Sequence, residues 1–194
     1  MADSQQGVIG NPNPDWQLGM THNLRWRNFN LSLWLDWKQG GDLWNGTLQT
    51  LNYLGTSKQS AEQREVQGYV FDGVNQNGQT NSSPVDFANP ANGLNGNRWV
   101  RYGWNGVAED VIQDASWLKI RNISLSYDFR NIRVKDCCFY TLKLSFFVQN
   151  ILLYTPYKGI DPETNLTGSS NGFGLDYFNL PNVVSYGFSV NFGF

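Results

Sequence analysis

The sequence is poor in the residues on which most enzymes and nucleic-acid-binding proteins depend. Only 15% of its 194 residues are charged, and 14 Lys and Arg against 16 Asp and Glu leave a formal net charge of -2. A nucleic-acid-binding face needs an excess of basic residues, so nucleic acid is not expected as a partner. The chain has a single His and shows no paired carboxylates and no phosphate-binding or dinucleotide-binding motif, so no enzymatic activity is predicted.

Cysteine is equally scarce. The two cysteines, Cys137 and Cys138, are adjacent, and neighbouring cysteines rarely pair with each other because the bridge strains the peptide between them. The sequence contains no CxxC motif and no cluster of Cys and His, so we predict no metal site and no cofactor. The pattern is typical of two turn or interface thiols, and it leaves their role open.

Long apolar runs are also missing. No stretch of about 18 apolar residues occurs, which excludes a membrane-spanning helix. The residues from Met1 to Gln6 have neither a basic nor an apolar character, so no signal peptide is expected at this start. Helical periodicity is nearly absent, although leucines spaced by three predict a short helix over Thr47 to Tyr53.

The sequence is instead rich in period-two alternation between large apolar and small or polar residues. Five segments alternate in this way and are predicted as strands, at about 15–26, 29–39, 117–129, 139–150 and 183–194. In the third segment Leu118 and Ile120 are out of phase with Ile123, which predicts a bulge near Arg121.

The connections between these strands alternate strictly between short and long. A tight turn at Arg27-Asn28 joins the first two strands, and residues 130–138 join the third and fourth. Long polar segments, about 40–114 and 154–181, form the other two connections. This asymmetry is typical of transmembrane β-barrels, in which short turns face the periplasm and long loops face outside.

The predicted fold class is therefore all-β, with antiparallel up-and-down strands that form the C-terminal portion of an outer-membrane barrel. Five strands cannot close such a barrel, which needs about eight. Aromatic residues near the strand ends are expected to form girdles at the two membrane interfaces: Trp16, Trp26, Trp37, Trp117, Tyr127, Tyr140 and Tyr154. A β-sandwich also alternates, so the alternative is a stand-alone soluble β-sheet carbohydrate-binding module.

Several motifs, in chain order, resemble the SusC/RagA family of TonB-linked outer membrane proteins. They are GNPNPDW at 10–16, GGDLWNGT at 40–47, WLKIRNISLSY at 117–127, FVQNI at 147–151, YKGIDPE at 157–163 and the closing strand that ends in Phe194. Each motif alone is weak. Their order across nearly the whole chain makes the set specific.

The resemblance implies a 22-stranded barrel closed by an N-terminal plug, in the outer membrane of a Gram-negative bacterium. Such proteins import glycans or peptides under a SusD-like lipoprotein lid, driven by the TonB complex. This chain would supply about the last five strands. The plug and the TonB box have no counterpart in these residues, so the chain alone is not expected to transport.

Few residues are marked for a specific role. Phe194, with Phe192 and Val190 on the same face, resembles the signal read by the barrel assembly machinery. Aromatic residues in the long loops are candidates for stacking on sugar rings, or alternatively for packing against each other: Trp99, Tyr102 and Trp104, together with Tyr69, Phe71 and Phe87.

Two further features are expected to be solvated surface groups. Asp161-Pro162-Glu163 spaces its carboxylates as calcium loops do, but the later Gly and Glu of such loops are missing, so a polar surface loop is predicted. His22 is predicted as a solvated histidine on the polar face of the first strand.

Overall fold

The structure is a computed structural model that describes residues 7–75, 77–87, 107–134, 137–168, 170 and 172–193. The chain divides into two compact units. The sheet unit comprises Pro12–Asp42, Asp114–Thr164 and Leu180–Phe194, and the loop unit comprises Met1–Asn11, Leu43–Gln113 and Asn165–Asn179. Among the described residues, no helix has the length and apolar character needed to cross a membrane.

Most of the regular structure is strand. In chain order the elements are β1 Trp16–Trp26, β2 Phe29–Gln39, β3 Asp42–Asn45, α1 Gly46–Leu54, α2 Lys58–Gln63, β4 Tyr69–Val70, β5 Pro84–Val85, a 3-10 turn Ala108–Val111, β6 Ile112–Asp114, β7 Trp117–Val134, β8 Cys137–Tyr154, β9 Leu175–Asp176 and β10 Ser185–Gly193.

The sheet unit is one five-stranded sheet in the order β1-β2-β7-β8-β10, and each neighbouring pair is antiparallel. This confirms the predicted all-β, antiparallel up-and-down fold. β7 and β8 are 18 residues long each, longer than the predicted 117–129 and 139–150. The connection between them shrinks to two residues, 135–136, because the ladder continues to the pair Val134 and Cys137.

The turn between β1 and β2 has the tightness that the sequence predicted. The ladder runs to the last pair, Trp26 and Phe29, so that only Arg27 and Asn28 lie outside it. Arg27 has φ of 52°, and positive φ is what the two-residue hairpin turns that match the twist of strands require. The other end of the hairpin leads into Gly40 and Gly41, whose φ values of 77° and 87° favour glycine.

The predicted bulge is confirmed at Arg121. On β2, Leu35 pairs with Ile120 and Trp34 pairs with Asn122, so Arg121 is the extra residue of β7. The shift restores the phase between the two halves of β7: Leu118, Ile120 and Ile123 all end on the same face, because their partners on β2 alternate regularly.

The loop unit contains the predicted short helix, as α1. Asn45 caps it by accepting a hydrogen bond from the Leu48 N–H at 2.8 Å, and Gly55 ends it in the left-handed conformation. Two small sheets accompany the helices, one in the order β6-β3-β9 and one formed by β4 and β5. Tyr69, Phe71 and Phe87 pack against each other with ring centroids 5.1 to 5.9 Å apart.

Candidate functional site

The sheet has one continuous apolar face. Register places one residue of each strand in a row across it, and two such rows are Leu24, Leu31, Leu125, Phe146, Phe188 and Trp26, Phe29, Tyr127, Leu144, Val190. These side chains are exposed to a degree unusual for large apolar groups, for example 63% for Leu24 and 64% for Phe188. A contiguous exposed apolar surface of this kind marks a site of contact with a protein or a membrane.

Aromatic rings cluster at the two ends of this apolar face. Trp16 and Trp37 pack edge to face at one end, with centroids 4.9 Å apart. Phe29 and Tyr127 pack at the other, with centroids 4.6 Å apart. Trp26 lies ten positions after Trp16 on β1, which is about 33 Å along the strand, and a strand tilted by about 40° would cover about 25 Å of a membrane's thickness. That span matches the apolar band of outer-membrane barrels.

The girdle prediction fails for Trp117. This tryptophan pairs with Lys38, on the polar face of the sheet, and is only 2% exposed. The cause is the bulge at Arg121, which sets the parity of the first half of β7. Tyr154 is exposed, and the side chain of Tyr140 lies outside the described residues.

His22 is also on the other face from the one predicted. Its cross-strand partner is Leu33, and its neighbours on the same face of β1 are Met20 and Leu24. Period two allows no other outcome, because β1 runs without a bulge from Trp16 to Trp26. His22 therefore lies on the apolar face.

The opposite face carries small and polar residues. One row across it reads Arg25, Asn30, Ser126, Ser145, Ser189. Phe147 is an exception, and it lies over its cross-strand partner Gly187, where a Cβ atom would collide with the ring. Two tryptophans, Trp34 and Trp117, lie on this face as well.

A buried ion cluster lies on the polar face near the end of β7 that receives the long connections. We define the ion cluster as Asp36, Lys119, Arg121, Asp161 and Glu163. Lys119 Nζ is 2.8 Å from Asp161 Oδ1 and 2.5 Å from Glu163 Oε2. Arg121 binds both carboxylate oxygens of Glu163 and donates from Nε to Asp36 Oδ2 at 2.8 Å.

The surroundings of the ion cluster shield Lys119 almost completely from solvent and leave Arg121 21% exposed. The side chains of Lys119 and Asp161 are only 4% and 8% exposed. The ring of Trp117 lies beneath both cations, with its centroid 5.3 Å from Lys119 Nζ and 4.8 Å from Arg121 Cζ. Three carboxylates and a ring face thus surround two positive charges, which is the arrangement that offsets the desolvation cost of buried charges.

Both carboxyl groups of the loop are held ionised. Burial opposes ionisation of Asp161, but hydrogen bonds from Lys119, the Glu163 backbone N–H and Asn182, with the charge of Lys119, outweigh burial and lower the pKa of Asp161. Burial likewise opposes ionisation of Glu163, and the hydrogen bonds and charges of Arg121 and Lys119 lower its pKa.

The prediction of a polar surface loop at Asp161-Pro162-Glu163 is therefore wrong. Asp161 is buried, and its carboxylate, like that of Glu163, is bound by basic side chains. The two carboxylates, whose spacing is similar to that of calcium ligands, instead bind Lys119 and Arg121. In the described part of the chain, no group of three or more His, Cys, Asp or Glu is placed to hold a metal ion.

The other predicted site residues are only partly visible. Val190 and Phe192 lie on the apolar face of β10. Phe194 and the loop aromatics Trp99, Tyr102 and Trp104 lie outside the described residues. The loop aromatics that are described, Tyr69, Phe71 and Phe87, follow the alternative of packing against each other.

Asp36, Lys119 and Arg121 were not predicted from the sequence as members of one site. The sequence did contain a signal for this site. Charged residues at polar-face positions near the ends of two strands are unusual in a chain with so few charges. The pairing with Asp161 and Glu163 was not predictable, because 42 residues separate each carboxylate from its cation.

Comparison with known proteins agrees with this architecture. No protein-family model matches the chain. It is 28% identical over 199 residues to "TonB-dependent receptor P3" of Formosa agariphila, which covers 100% of this chain and 18% of that protein. A second receptor of that organism, "TonB-dependent receptor P39", is 26% identical over 91 residues, or 46% of this chain and 9% of that protein.

The fold has a solved counterpart in the RagAB peptide importer, determined in its "closed-closed" state. The match covers 98% of this chain and 19% of that one, with a TM-score of 0.56 and 17% sequence identity. The chain thus spans less than a fifth of the receptors it resembles over its full length. Full-length sequence similarity and the shared fold agree: the chain is similar over its whole length to a segment of a TonB-dependent receptor, and its ordered motifs resemble those of the SusC/RagA family.

Proposed function

We propose that the chain forms part of the barrel wall of an outer-membrane importer, a TonB-dependent transporter of glycans or other large nutrients. The observation that carries the proposal is the continuous apolar face of the five-stranded sheet, bounded by aromatic clusters. Such a face is unstable in water and suits outer-membrane lipid. The polar face, with its small side chains, then borders the lumen.

The topology indicates which end of this wall faces the periplasm and which end faces outside. The turn at Arg27-Asn28 and the connection at 135–136 leave one end of the sheet, and both long connections leave the other. In outer-membrane barrels the short turns are periplasmic. We infer that segments of about 40–114 and 154–181 are extracellular loops, and that the ion cluster fixes the start of the second loop on the lumen side of the wall.

The partners follow from the same proposal. A SusD-like lipoprotein would cover the extracellular end, and the TonB complex would act through parts of the importer that these residues do not include. The related structure is a peptide importer, which supports an import role for the fold. The relatives are named as receptors, and we infer binding and transport without a chemical reaction.

The experiment uses the complete reading frame that encodes this chain. The protein is expressed in a Gram-negative host, the membranes are fractionated, and uptake of labelled oligosaccharides is compared in strains with and without TonB. We expect the protein in the outer membrane, co-purification with a SusD-like lipoprotein and uptake that requires TonB. A soluble, detergent-independent protein that binds glycans would overturn the proposal in favour of a carbohydrate-binding module.

Assembly is a separate part of the proposal. Val190, Phe192 and Phe194 would be read by the barrel assembly machinery as an alternating aromatic strand. Replacement of Phe194 by Ser in the complete protein should lower the assembled fraction without changing the activity of the molecules that do assemble. An unchanged assembled fraction would leave these residues as lipid contacts only.

A further inference from the structure

Three aromatic residues of the loop unit contact one another, and two of their rings are exposed. The rings of Trp44 and Tyr177 are nearly parallel, with an angle of 10° and centroids 6.1 Å apart. Phe178 packs edge to face on Tyr177, with centroids 4.8 Å apart. Trp44 is half-buried, whereas Tyr177 and Phe178 are 42% and 54% exposed. We call these three residues the aromatic platform.

The backbone around the aromatic platform positions the rings of Trp44 and Tyr177. β3 and β9 pair in parallel, with Trp44 opposite Leu175, and the Trp44 N–H donates to the Gly174 carbonyl at 2.9 Å. Gly46 begins α1 directly against both rings, and a Cβ atom there would collide with Trp44 and lie 2.8 Å from Tyr177. Glycine is a poor helix former, so its presence at this position is explained by the ring contact.

Phe178 is held in a conformation that its side chain disfavours. Its φ is 52°, in the left-handed region, where a large non-glycine residue is strained. A hydrogen bond from the Phe178 N–H to Thr47 Oγ1 at 2.7 Å holds the backbone in this strained conformation. Next to it, Asn179 Nδ2 donates to the buried Asp176 at 3.3 Å. The strained backbone thus holds an aromatic ring that is exposed to solvent. Backbone strain of this kind is concentrated at ligand sites.

The chemistry of the surrounding chain narrows the class of ligand. Residues 165–179 contain no Lys and no Arg, and their single acidic residue is the buried Asp176. A charged ligand would find no counter-charge in this segment. Flat rings flanked by neutral amides and hydroxyls suit a molecule with C–H faces and hydroxyl edges, which describes a pyranose ring.

We propose that the aromatic platform is a binding site for a neutral oligosaccharide, with Tyr177 and Phe178 stacking on the faces of its sugar rings. The inference rests on the proposed importer function and adds to it a binding site and the neutral character of the glycan. Trp44 contributes by holding Tyr177 in orientation and is a positioning residue.

The test measures oligosaccharide affinity in the complete protein, purified in detergent. Isothermal titration uses a panel of neutral hexasaccharides: maltohexaose, cellohexaose, laminarihexaose and xylohexaose. The variants are Tyr177→Ala and Phe178→Gly, and the second removes the ring while relieving the positive φ. Tyr53→Ala is the matched control, because Tyr53 is an exposed tyrosine of the same unit outside the platform.

We expect at least one hexasaccharide to bind the unaltered protein, with Kd raised about 3- to 10-fold by either platform variant and unchanged in Tyr53→Ala. Hydrogen exchange of residues 165–179 should stay the same in Phe178→Gly. Loss of protection there would mean that the ring is a packing contact, which would overturn the proposal.

Other results of these measurements also test the proposed oligosaccharide site. Equal affinity of variants and unaltered protein, or no binding of any hexasaccharide, overturns the site. Loss of lipoprotein co-purification with unchanged sugar affinity would make the platform a protein-docking surface and would overturn the proposal. TonB-dependent uptake and membrane location are measured separately, so failure of the site is distinguishable from failure of the importer proposal.

Discussion

Lys119 of β7 and Asp161 of the long connection that follows β8 form a buried ion pair across 42 residues of sequence, with Nζ 2.8 Å from Oδ1. The pair joins a strand to a loop at the point where the chain leaves the sheet. Because Glu163 binds Lys119 and Arg121 at the same place, the loop is attached through two carboxylates to two cations. The start of the loop is thereby fixed to the sheet.

Removal of the Lys119 charge should release this attachment. Lys119→Met leaves Asp161 buried without its cation, and breaking a buried pair in this way costs about 3 kcal/mol. In the complete protein, hydrogen exchange of residues 155–164 should rise on the order of 100-fold while the strands keep their protection.

The exposed pair Lys58–Glu62 provides the control for this experiment. Its side chains are 91% and 65% exposed, so Lys58→Met should change exchange very little. Equal exchange of residues 155–164 in Lys119→Met and in the unaltered protein would show that the ion cluster does not hold the loop.

The same attachment should weaken in acid. The pKa values of Asp161 and Glu163 are lowered from ordinary values of 3.8 and 4.5, so the folded state favours their ionised forms. Their stabilising contribution is complete above about pH 4.5 and is lost as the pH falls through the lowered values. Exchange of residues 155–164, corrected for intrinsic rates, should increase below pH 4. The variant Asp161→Asn with Glu163→Gln should lack this acid dependence.

The two faces of β10 should respond differently to charge. Phe188 lies on the apolar face and Ser189 on the polar face, at adjacent positions. A lysine near the middle of the membrane costs about 2–4 kcal/mol on the lipid side, whereas the lumen side tolerates it. Phe188→Lys should reduce the fraction of the complete protein assembled in the outer membrane, and Ser189→Lys should not. Equal effects of the two variants would contradict a lipid-facing assignment.

Gly41 should not tolerate a side chain. Its φ is 87°, and a Cβ atom would lie 2.9 Å from the Pro12 carbonyl oxygen. Gly41→Ala should cost about 1–2 kcal/mol and loosen the hydrogen bond from the Ala115 N–H to the Gly41 carbonyl, raising exchange at Ala115. Gly7→Ala is the control and should be neutral, since a Cβ atom at Gly7 would have no neighbour within 4 Å. Unchanged exchange at Ala115 in Gly41→Ala would show that the turn relaxes without cost.

Local chain geometry explains which features were predictable. The bulge at Arg121 could be located because Leu118 and Ile120 change phase against Ile123, and phase is visible in a strand of period two. The turn at Arg27-Asn28 was visible for the same reason. The face of His22 was predictable too, and the error there was one of parity, because residue 22 shares its face with Met20 and Leu24.

The sequence by itself determined the fold class, the two faces of the sheet and the resemblance to TonB-linked receptors, because alternation and motif order are properties of short stretches of chain. Only the tertiary structure decided that Asp161 and Glu163 meet Lys119 and Arg121, that Trp117 lies beneath these cations, and that Tyr177 stacks on Trp44. The ion pairs and the contact of Tyr177 with Trp44 join residues far apart in sequence, and burial and loop closure bring them within reach. Trp117 is close to both cations in sequence, and the register shift at Arg121 decides that it lies on the polar face.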